Sequence, residues 1–394
     1  MDPIFSDRIT DVPRSFIREI LKATADESII SFAGGLPNRK LFPVEEIRKA
    51  VLFILEHDAG DVLQYSTTEG YPKLRQWIAD RYKKNAGVTI APEQILITSG
   101  SQQGLDLLGK VLLNDHEHVG IEEPGYLGAI QAFSLYRPHF HTAPLEWDGI
   151  NLSAFEDTVR RQQVKLFYAV PNFQNPSGIT YSTAKRVAAA EILKGSSTLF
   201  VEDDPYGELR FLGERKPSFY ELAPENTILL GSFSKIFAPS FRIGWIVAAG
   251  PLMEKLVIAK QATDLHTNYF GQRLLYRYLE ENDLDIHIQR IRDAYGRQRT
   301  AMVRAIQENF PPSITISEPE GGMFLWAQLP EGMSALKLFD KALARKVAFV
   351  PGDPFYIGRQ HTNTLRLNFS CLDEESITRG IQILGQLLKE EMGR

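Results

Sequence analysis

Gly231-Ser-Phe-Ser-Lys235-Ile-Phe-Ala-Pro-Ser-Phe-Arg242-Ile-Gly244-Trp245 is the stretch that decides how this chain is read. It offers a lysine amine, two hydroxyls just before it (Ser232 and Ser234) and a guanidinium, Arg242, on its C-terminal side. An amine that attacks a carbonyl must be held neutral or already condensed as an imine. A neighbouring cation or a desolvating pocket does that. Two serines and an arginine around one lysine also make a phosphate site. Together they are what an enzyme needs to hold pyridoxal phosphate, with an imine at one end and a phosphate anchor at the other. Read alone, the run fits equally well a surface lysine after a buried strand, with Arg242 in an unrelated ion pair.

Two segments upstream tilt the reading. Val201-Glu-Asp203-Asp-Pro-Tyr206 follows an apolar, strand-like run, Thr198-Leu-Phe-Val201. Carboxylates at the end of a parallel strand lie at the ligand-binding edge of an open α/β sheet. A carboxylate there can keep a pyridine nitrogen protonated, which makes the ring an electron sink. Pro171-Asn-Phe-Gln-Asn175-Pro-Ser-Gly178 follows another such run, Leu166-Phe-Tyr-Ala-Val170. Asn175 precedes a proline and is biased to an extended backbone, so its amide can point at a ring. Each segment also reads as a plain turn, since Asn-Pro and Asp-Pro commonly start loops.

Composition narrows the class. The 394 residues are enough for two domains or one large α/β enzyme. Hydrophobic residues at 43% and charged residues at 24% suit a soluble globular protein. A net charge of −5 without a basic tract argues against nucleic acid as a partner. The single cysteine, Cys371, rules out an intrachain disulfide, fits a reducing compartment and reads as a small buried residue. The N-terminus lacks a basic segment followed by an apolar core, so no signal peptide is expected. No apolar run approaches the roughly 20 residues of a membrane span. The expectation is a cytoplasmic protein with no membrane contact. His116-Glu-His118 and His139-Phe-His141 bring no third and fourth ligand at usable spacing, so no metal is expected.

From about residue 95 to 250, short β-rich runs alternate with helical patterns. The runs are Ile95–Thr98, His118–Ile121, Leu166–Val170, Thr198–Val201, Ile228–Leu230 and Trp245–Ala248. Continuous apolar runs of this length suit strands buried on both faces of a mostly parallel sheet. Leu105, Leu108, Val111 and Leu112 recur at helical spacing. Gly104 to Val111 is a near miss for a nucleotide P-loop, because Val111 cannot serve where Ser or Thr would hold Mg²⁺. From about residue 285 a long charged helix leads into Gly321-Gly-Met-Phe-Leu-Trp326, then helix, strand and helix. The expected class is α/β: a large domain with a mostly parallel sheet flanked by helices, plus a smaller α+β domain.

Asn175, Asp203, Lys235 and Arg242, in that order and spacing, resemble the fold-type I pyridoxal-phosphate aminotransferases of classes I and II. The resemblance spans nearly the whole chain. It is closest to the branch of the 2-aminoadipate and kynurenine aminotransferases. Ser31-Phe-Ala-Gly-Gly-Leu-Pro37, Tyr65-Ser-Thr-Thr-Glu-Gly70, Thr98-Ser-Gly-Ser-Gln-Gln103 and Glu123-Pro-Gly-Tyr126 carry it. It implies a large cofactor-binding domain over residues 41–285 and a discontinuous small domain from residues 1–40 and 286–394. Ser99-Gly-Ser101-Gln102 follows a strand and opens a helix, where serine is a good N-cap and the dipole favours phosphate; read on its own, the segment is better taken as a capped helix with no ligand. The resemblance assigns Ser101, Gln102, Ser232, Ser234 and Arg242 to the phosphate. It makes Tyr65 a donor to a neighbouring subunit's phosphate, hence a homodimer with shared active sites. Tyr126 would stack on the ring, and Asn175 and Tyr206 would donate to its phenolic oxygen.

At the substrate end, Arg366 lies in Asn363-Thr-Leu-Arg366-Leu-Asn-Phe-Ser370, on the opposite face from Leu365 and Leu367. Its fork suits an α-carboxylate, and the resemblance gives it that role. Gly34 and Gly35 would let the backbone pass close to substrate. Arg18, on an amphipathic helix, would meet a distal carboxylate or be one charge on a solvated face. The expected activity is amino transfer from an L-amino acid of the 2-aminoadipate, aromatic, kynurenine or branched-chain type to a 2-oxo acid, 2-oxoglutarate. The expected rivals are a lyase or decarboxylase using the same cofactor, and a ligand-sensing module. The latter is disfavoured because the first 30 or so residues carry one helix and no helix-turn-helix unit.

Overall fold

The structure is a computed structural model; it describes residues 4–10, 20, 26, 28–358 and 361–393. Strand β1 (Ile30–Ser31) belongs to a small parallel pair. The main sheet comprises β2 (Ile95–Thr98), β3 (His118–Glu123), β4 (His139–Glu146), β5 (Gly149–Ile150), β6 (Leu166–Ala169), β7 (Leu199–Asp203), β8 (Thr227–Ser232) and β9 (Gly244–Val247). Their order is β2-β9-β8-β7-β6-β3-β4-β5. The run β8-β7-β6-β3-β4 is parallel, and β9 is antiparallel to both its neighbours. Strands β2, β6, β8 and β9 are buried along their whole length, which is why their sequences are continuous apolar runs rather than alternating ones.

Helices cover both faces, and alternation along β7 shows how. Asp203 pairs with Leu230 and so shares its face. The helix Ser101–Leu112 lies on that face: a Cβ at Gly104 would sit 3.1 Å from Leu230. Glu202 points the other way, toward Arg186 of the helix Thr183–Leu193.

The later chain builds a second sheet. Strands β10 (Thr315–Ile316), β11 (Phe324–Gln328), β12 (Val347–Ala348), β13 (Val350–Pro351) and β14 (Thr364–Asn368) follow. The order β10-β11-β14-β13 is antiparallel throughout. Strand β12 instead pairs with β1. Phe32 N–H donates to the Ala348 carbonyl at 2.8 Å, and its own carbonyl accepts from Asn368 N–H at 2.9 Å. The segment after residue 28 is thereby stitched to the C-terminal sheet. The long helix Leu284–Asn309 packs on Glu374–Met392, where Gly385 permits the contact: a Cβ there would lie 2.7 Å from the Asn309 carbonyl.

Strand β4 was not foreseen. Its sequence, His139-Phe-His-Thr-Ala-Pro-Leu-Glu146, is half-buried or exposed, with Ala143 its one buried residue, and the short β5 is its neighbour on the outer side. It has no apolar run to betray it. Among the described residues, no helix is long and apolar enough to cross a membrane.

Gly231 in β8 pairs directly with Trp245 in β9. A Cβ on Gly231 would lie 2.2 Å from the indole ring. The indole cannot easily give way, since its Nε1–H donates to Tyr82 Oη at 3.0 Å. Gly231→Ala is expected to destabilise the protein by about 1–3 kcal/mol in urea unfolding, as overpacking does. Gly60→Ala, with nothing within 4 Å of the added carbon, should change stability by less than about 1 kcal/mol.

Candidate active site

Three strand ends meet at one point. Thr98 pairs with Gly244, and Gly244 with Ser232. A Cβ on Gly244 would fall 2.8 Å from Gly100 C, Gly231 O and Ser101 N. This close approach brings the start of the helix Ser101–Leu112 against the turn that carries Ser232, Ser234 and Lys235. Arg242 closes the group from a left-handed backbone, φ +53°, which costs a non-glycine residue roughly 1–2 kcal/mol. Its Nη2 donates to the Ser99 carbonyl at 3.0 Å. Gly100, at φ +79°, leaves the room that the guanidinium fills: a Cβ there would lie 2.5 Å from Nη2. Gly100, not a serine, is the N-cap, so no side chain caps this helix start. Ser234 N–H donates to Ser232 Oγ at 3.1 Å, and Ser232 Oγ–H donates to Ser234 Oγ at 2.9 Å. Gln102 donates to the Gly128 carbonyl at 2.9 Å, tying the helix start to the segment after Tyr126. Two hydroxyls, a guanidinium and an uncapped helix start form an anion cradle.

Lys235 lies in the turn after β8 and donates from Nζ to the Gly35 carbonyl at 2.9 Å. Burial pushes its amine down to about 8, and the Arg366 and Arg242 cations push the same way. Near neutral pH an appreciable fraction is therefore neutral and nucleophilic.

Asp203 ends β7 and is 2% exposed. Its Oδ2 accepts from the Tyr168 hydroxyl at 2.7 Å. Its Oδ1 is buried with no partner. Burial raises the carboxyl to about 7, the Tyr168 bond lowers it, and the nearby Asp204 raises it further.

Arg366 in β14 is 2% exposed. Its Nη1 donates to Asn175 Oδ1 at 2.8 Å and its Nη2 to the Ala33 carbonyl at 2.7 Å, while Nε has no partner. The guanidinium lies 4.4 Å from the Phe324 ring centroid. Among the described residues no carboxylate pairs with it, and burial lowers it to about 10. Asn175 Nδ2 reaches Tyr206 Oη at 3.5 Å, so the two foreseen ring donors and the foreseen carboxylate arginine are linked. The Asn175–Pro176 and Glu123–Pro124 peptide bonds are cis. Gly35 lies under the Phe324 ring, with room for a Cβ only at 3.2 Å. Tyr126, the N-cap of the helix Leu127–Ser134, stacks at 6.4 Å and 28° on Tyr168.

One foreseen residue falls outside this group. Tyr65 is 78% exposed, with its ring edge-on to His266 at 5.8 Å. Arg18 lies outside the described residues. Cys371 is only partly buried, and its Sγ–H donates to the Leu36 carbonyl at 2.8 Å. The two histidine pairs do meet each other, with His118 Nδ1 and His141 Nε2 2.6 Å apart. Among the described residues no group of three or more His, Cys, Asp or Glu could hold a metal ion.

Sequence reasoning missed Tyr168, Glu122 and Gln174. Glu122 accepts from the Tyr181 hydroxyl (2.6 Å), Val170 N–H (3.1 Å) and Gln174 Nε2 (3.2 Å). Gln174 Nε2 also donates to the Pro124 carbonyl at 2.7 Å, locking the Tyr126 and Asn175 loops together. A signal was present for Tyr168: a tyrosine inside an all-buried apolar strand must find a partner for its hydroxyl. Nothing in one sequence says which partner.

The pattern of the family "aminotransferase class I and II" matches residues 29–384. An aromatic-amino-acid aminotransferase of Thermococcus litoralis is 42% identical over 394 aligned positions, covering 98% of this chain and 94% of its own. The solved kynurenine aminotransferase of Pyrococcus horikoshii is 43% identical with a TM-score of 0.94, covering 99% of this chain and 98% of its own. The α-aminoadipate aminotransferase of Thermus thermophilus, solved with N-(5'-phosphopyridoxyl)-L-leucine, is 41% identical with a TM-score of 0.92, over 99% and 98%. This chain belongs to the class I and II aminotransferases, with the fold of type I, and is an enzyme that transfers amino groups.

Proposed function

We propose that the protein holds pyridoxal phosphate at Lys235 and moves an amino group from an L-amino acid to 2-oxoglutarate. The observation that carries the cofactor assignment is Asp203 Oδ1, a buried carboxylate oxygen without a partner. A buried anion left half satisfied is costly, and a protonated ring nitrogen is the partner that would complete it. The anion cradle and the depressed amine of Lys235 fit the phosphate and the carbonyl of the same group.

When bound, pyridoxal phosphate supplies an electron sink for the pair left at the substrate Cα. Asp203 holds the proton on the ring nitrogen. Asn175 and Tyr206 would donate to the phenolic oxygen, and Tyr126 would offer its face to the ring. Ser101, Gln102, Ser232, Ser234 and Arg242 hold the phosphate. Lys235, as a free amine near its operating pH, would take the proton from Cα and deliver it to the carbon on the far side of the amino nitrogen, acting as general base and acid. Arg366 turns its fork to the α-carboxylate beside Asn175, with the Gly35 backbone alongside. The two half-reactions then follow ping-pong order. The domain division at about residues 41–285 against the rest would place Arg366 and Lys235 on opposite sides of the substrate.

The relatives' named substrates support a donor of the aminoadipate, kynurenine, aromatic or branched-chain type. Arg18 is the residue we infer to read a distal carboxylate. Lyase chemistry would use the same groups; release of pyruvate and ammonia without a 2-oxo acid would favour it. Tyr65, together with exposed Leu63 and Val44, supports a homodimer in which Tyr65 reaches the partner's phosphate. A single cysteine supports a cytoplasmic setting.

Borohydride reduction is expected to fix the cofactor on Lys235, as read by peptide mapping; a label on another lysine would end this reading. In cofactor-free protein, reductive alkylation of Lys235 by a small aldehyde should fall by half as pH drops through about 8, because protonation removes the nucleophile. An ordinary lysine would do so near ~10.4.

Arg366→Ala is expected to lower kcat/KM for every amino acid roughly 10–150-fold, the loss of a charge-assisted bond. A panel of single amino acids with 2-oxoglutarate measures both this and the donor range. Sedimentation should show a dimer, and Tyr65→Phe should weaken cofactor retention. An active monomer at working concentration would refute the shared site.

A further inference from the structure

Tyr168 is fully buried in β6, with its hydroxyl 2.7 Å from Asp203 Oδ2. The sheet register makes this contact. Tyr168 pairs with Val201, and Asp203 lies two residues further along the same strand, hence on the same face. A tyrosine is long enough to span that diagonal. Its ring is held by Tyr126, stacked at 6.4 Å, and by Phe133, edge-on at 6.2 Å. The hydroxyl therefore has one aim, and burial keeps it a donor by raising its own ionisation far above the usual tyrosine value. The carboxylate is left with one oxygen engaged and one buried and free.

We propose that Tyr168 is a positioning residue for the amino-transfer site: by engaging Oδ2 it leaves Oδ1 as the one oxygen that meets the cofactor's ring nitrogen, and it weakens Asp203 as a base so that the shared proton stays on that nitrogen. The inference rests on the cofactor reading given above. Without the hydroxyl, Oδ2 is a second orphan in an apolar site. The carboxyl then gains basicity and competes for the proton, and it is free to present either oxygen. The ring becomes a poorer electron sink, while Arg366 and the anion cradle are untouched.

The test is Tyr168→Phe in the holoenzyme, loaded with pyridoxal phosphate carrying an NMR-active nitrogen isotope in its ring. The wild-type ring nitrogen should resonate at the pyridinium position. In Tyr168→Phe it should move toward the neutral-pyridine position, with kcat down roughly 10–100-fold, the scale of a hydrogen bond to a charged group. The donor KM should change less than about threefold, because carboxylate capture is separate. Phe133→Leu loosens the packing around Tyr168 but keeps its hydroxyl, and should leave the resonance in place. Should the Phe variant fold poorly, 3-fluorotyrosine at position 168, a stronger donor, should hold the pyridinium signal and full kcat. A Tyr168→Phe resonance identical to wild type would overturn the role of Tyr168 while leaving the cofactor assignment standing. An equal shift from Phe133→Leu would do the same. A neutral nitrogen in the wild-type enzyme would overturn both.

Discussion

Removal of charge from water is the constraint on which this site depends. Lys235, Asp203 and Arg366 are each pushed toward their neutral forms, chiefly by burial. Among the described residues, none is neutralised by a close opposite charge. Their partners are the Gly35 and Ala33 carbonyls, the Tyr168 hydroxyl and the Asn175 amide. Buried, unpaired charge costs several kcal/mol and persists only where the rest of the fold enforces it. Asp203 Oδ1 and Arg366 Nε keep unmet hydrogen-bonding capacity. A ligand that meets these demands binds strongly and adds to the stability of the folded state by mass action.

What enforces the arrangement is a second layer of polar ties behind the site, on the other face of the sheet. Glu122, which points away from the site face because its neighbour Ile121 pairs with Tyr168, and Gln174 bind the Pro124 and Asn175 loops to each other and to β6. Burial pushes Glu122 up to about 7 against the three hydrogen bonds that favour its ionised form. On that same face, the fully buried Arg186 donates to the Tyr181, Pro171 and Pro217 carbonyls and to Asn172 Oδ1. Asn172 in turn donates to Asp204 Oδ1 at 3.0 Å. The loop that carries Asn175 and the strand end that carries Asp203 are thus fixed by one network. Catalytic groups held this way lose little orientational freedom at the moment of reaction.

The exposed tyrosine Tyr65 shows the converse. Its segment is tied back by Ser66 N–H donating to His266 Nε2 at 3.3 Å, yet its ring stands out from the protomer. A tyrosine in the core needs a partner for its hydroxyl, as Tyr168 has, whereas one at the surface can be offered to another molecule. Tyr168 and Tyr65 thus sit in opposite settings, one with its hydroxyl engaged in the core and one with its ring in solvent.

The chemical groups and their order along the chain were legible in the sequence because each sits in a short local signature. A strand-like apolar run is followed by a turn carrying Asp203, Asn175 or Lys235, and such runs are set by burial on both faces of a sheet. The half-buried strand β4 escaped notice because it lacks that burial. What only the tertiary structure decided is which groups touch. Tyr168 reaches Asp203 because β6 and β7 pair in one register and not the next. Arg366 reaches Asn175 because the second sheet docks onto the first. These contacts join residues 35 and 191 positions apart, and no periodicity within a single segment encodes them. The sequence therefore names the acid, the amine and the guanidinium; the packing of one sheet against another settles which oxygen, and which nitrogen, is left free to act.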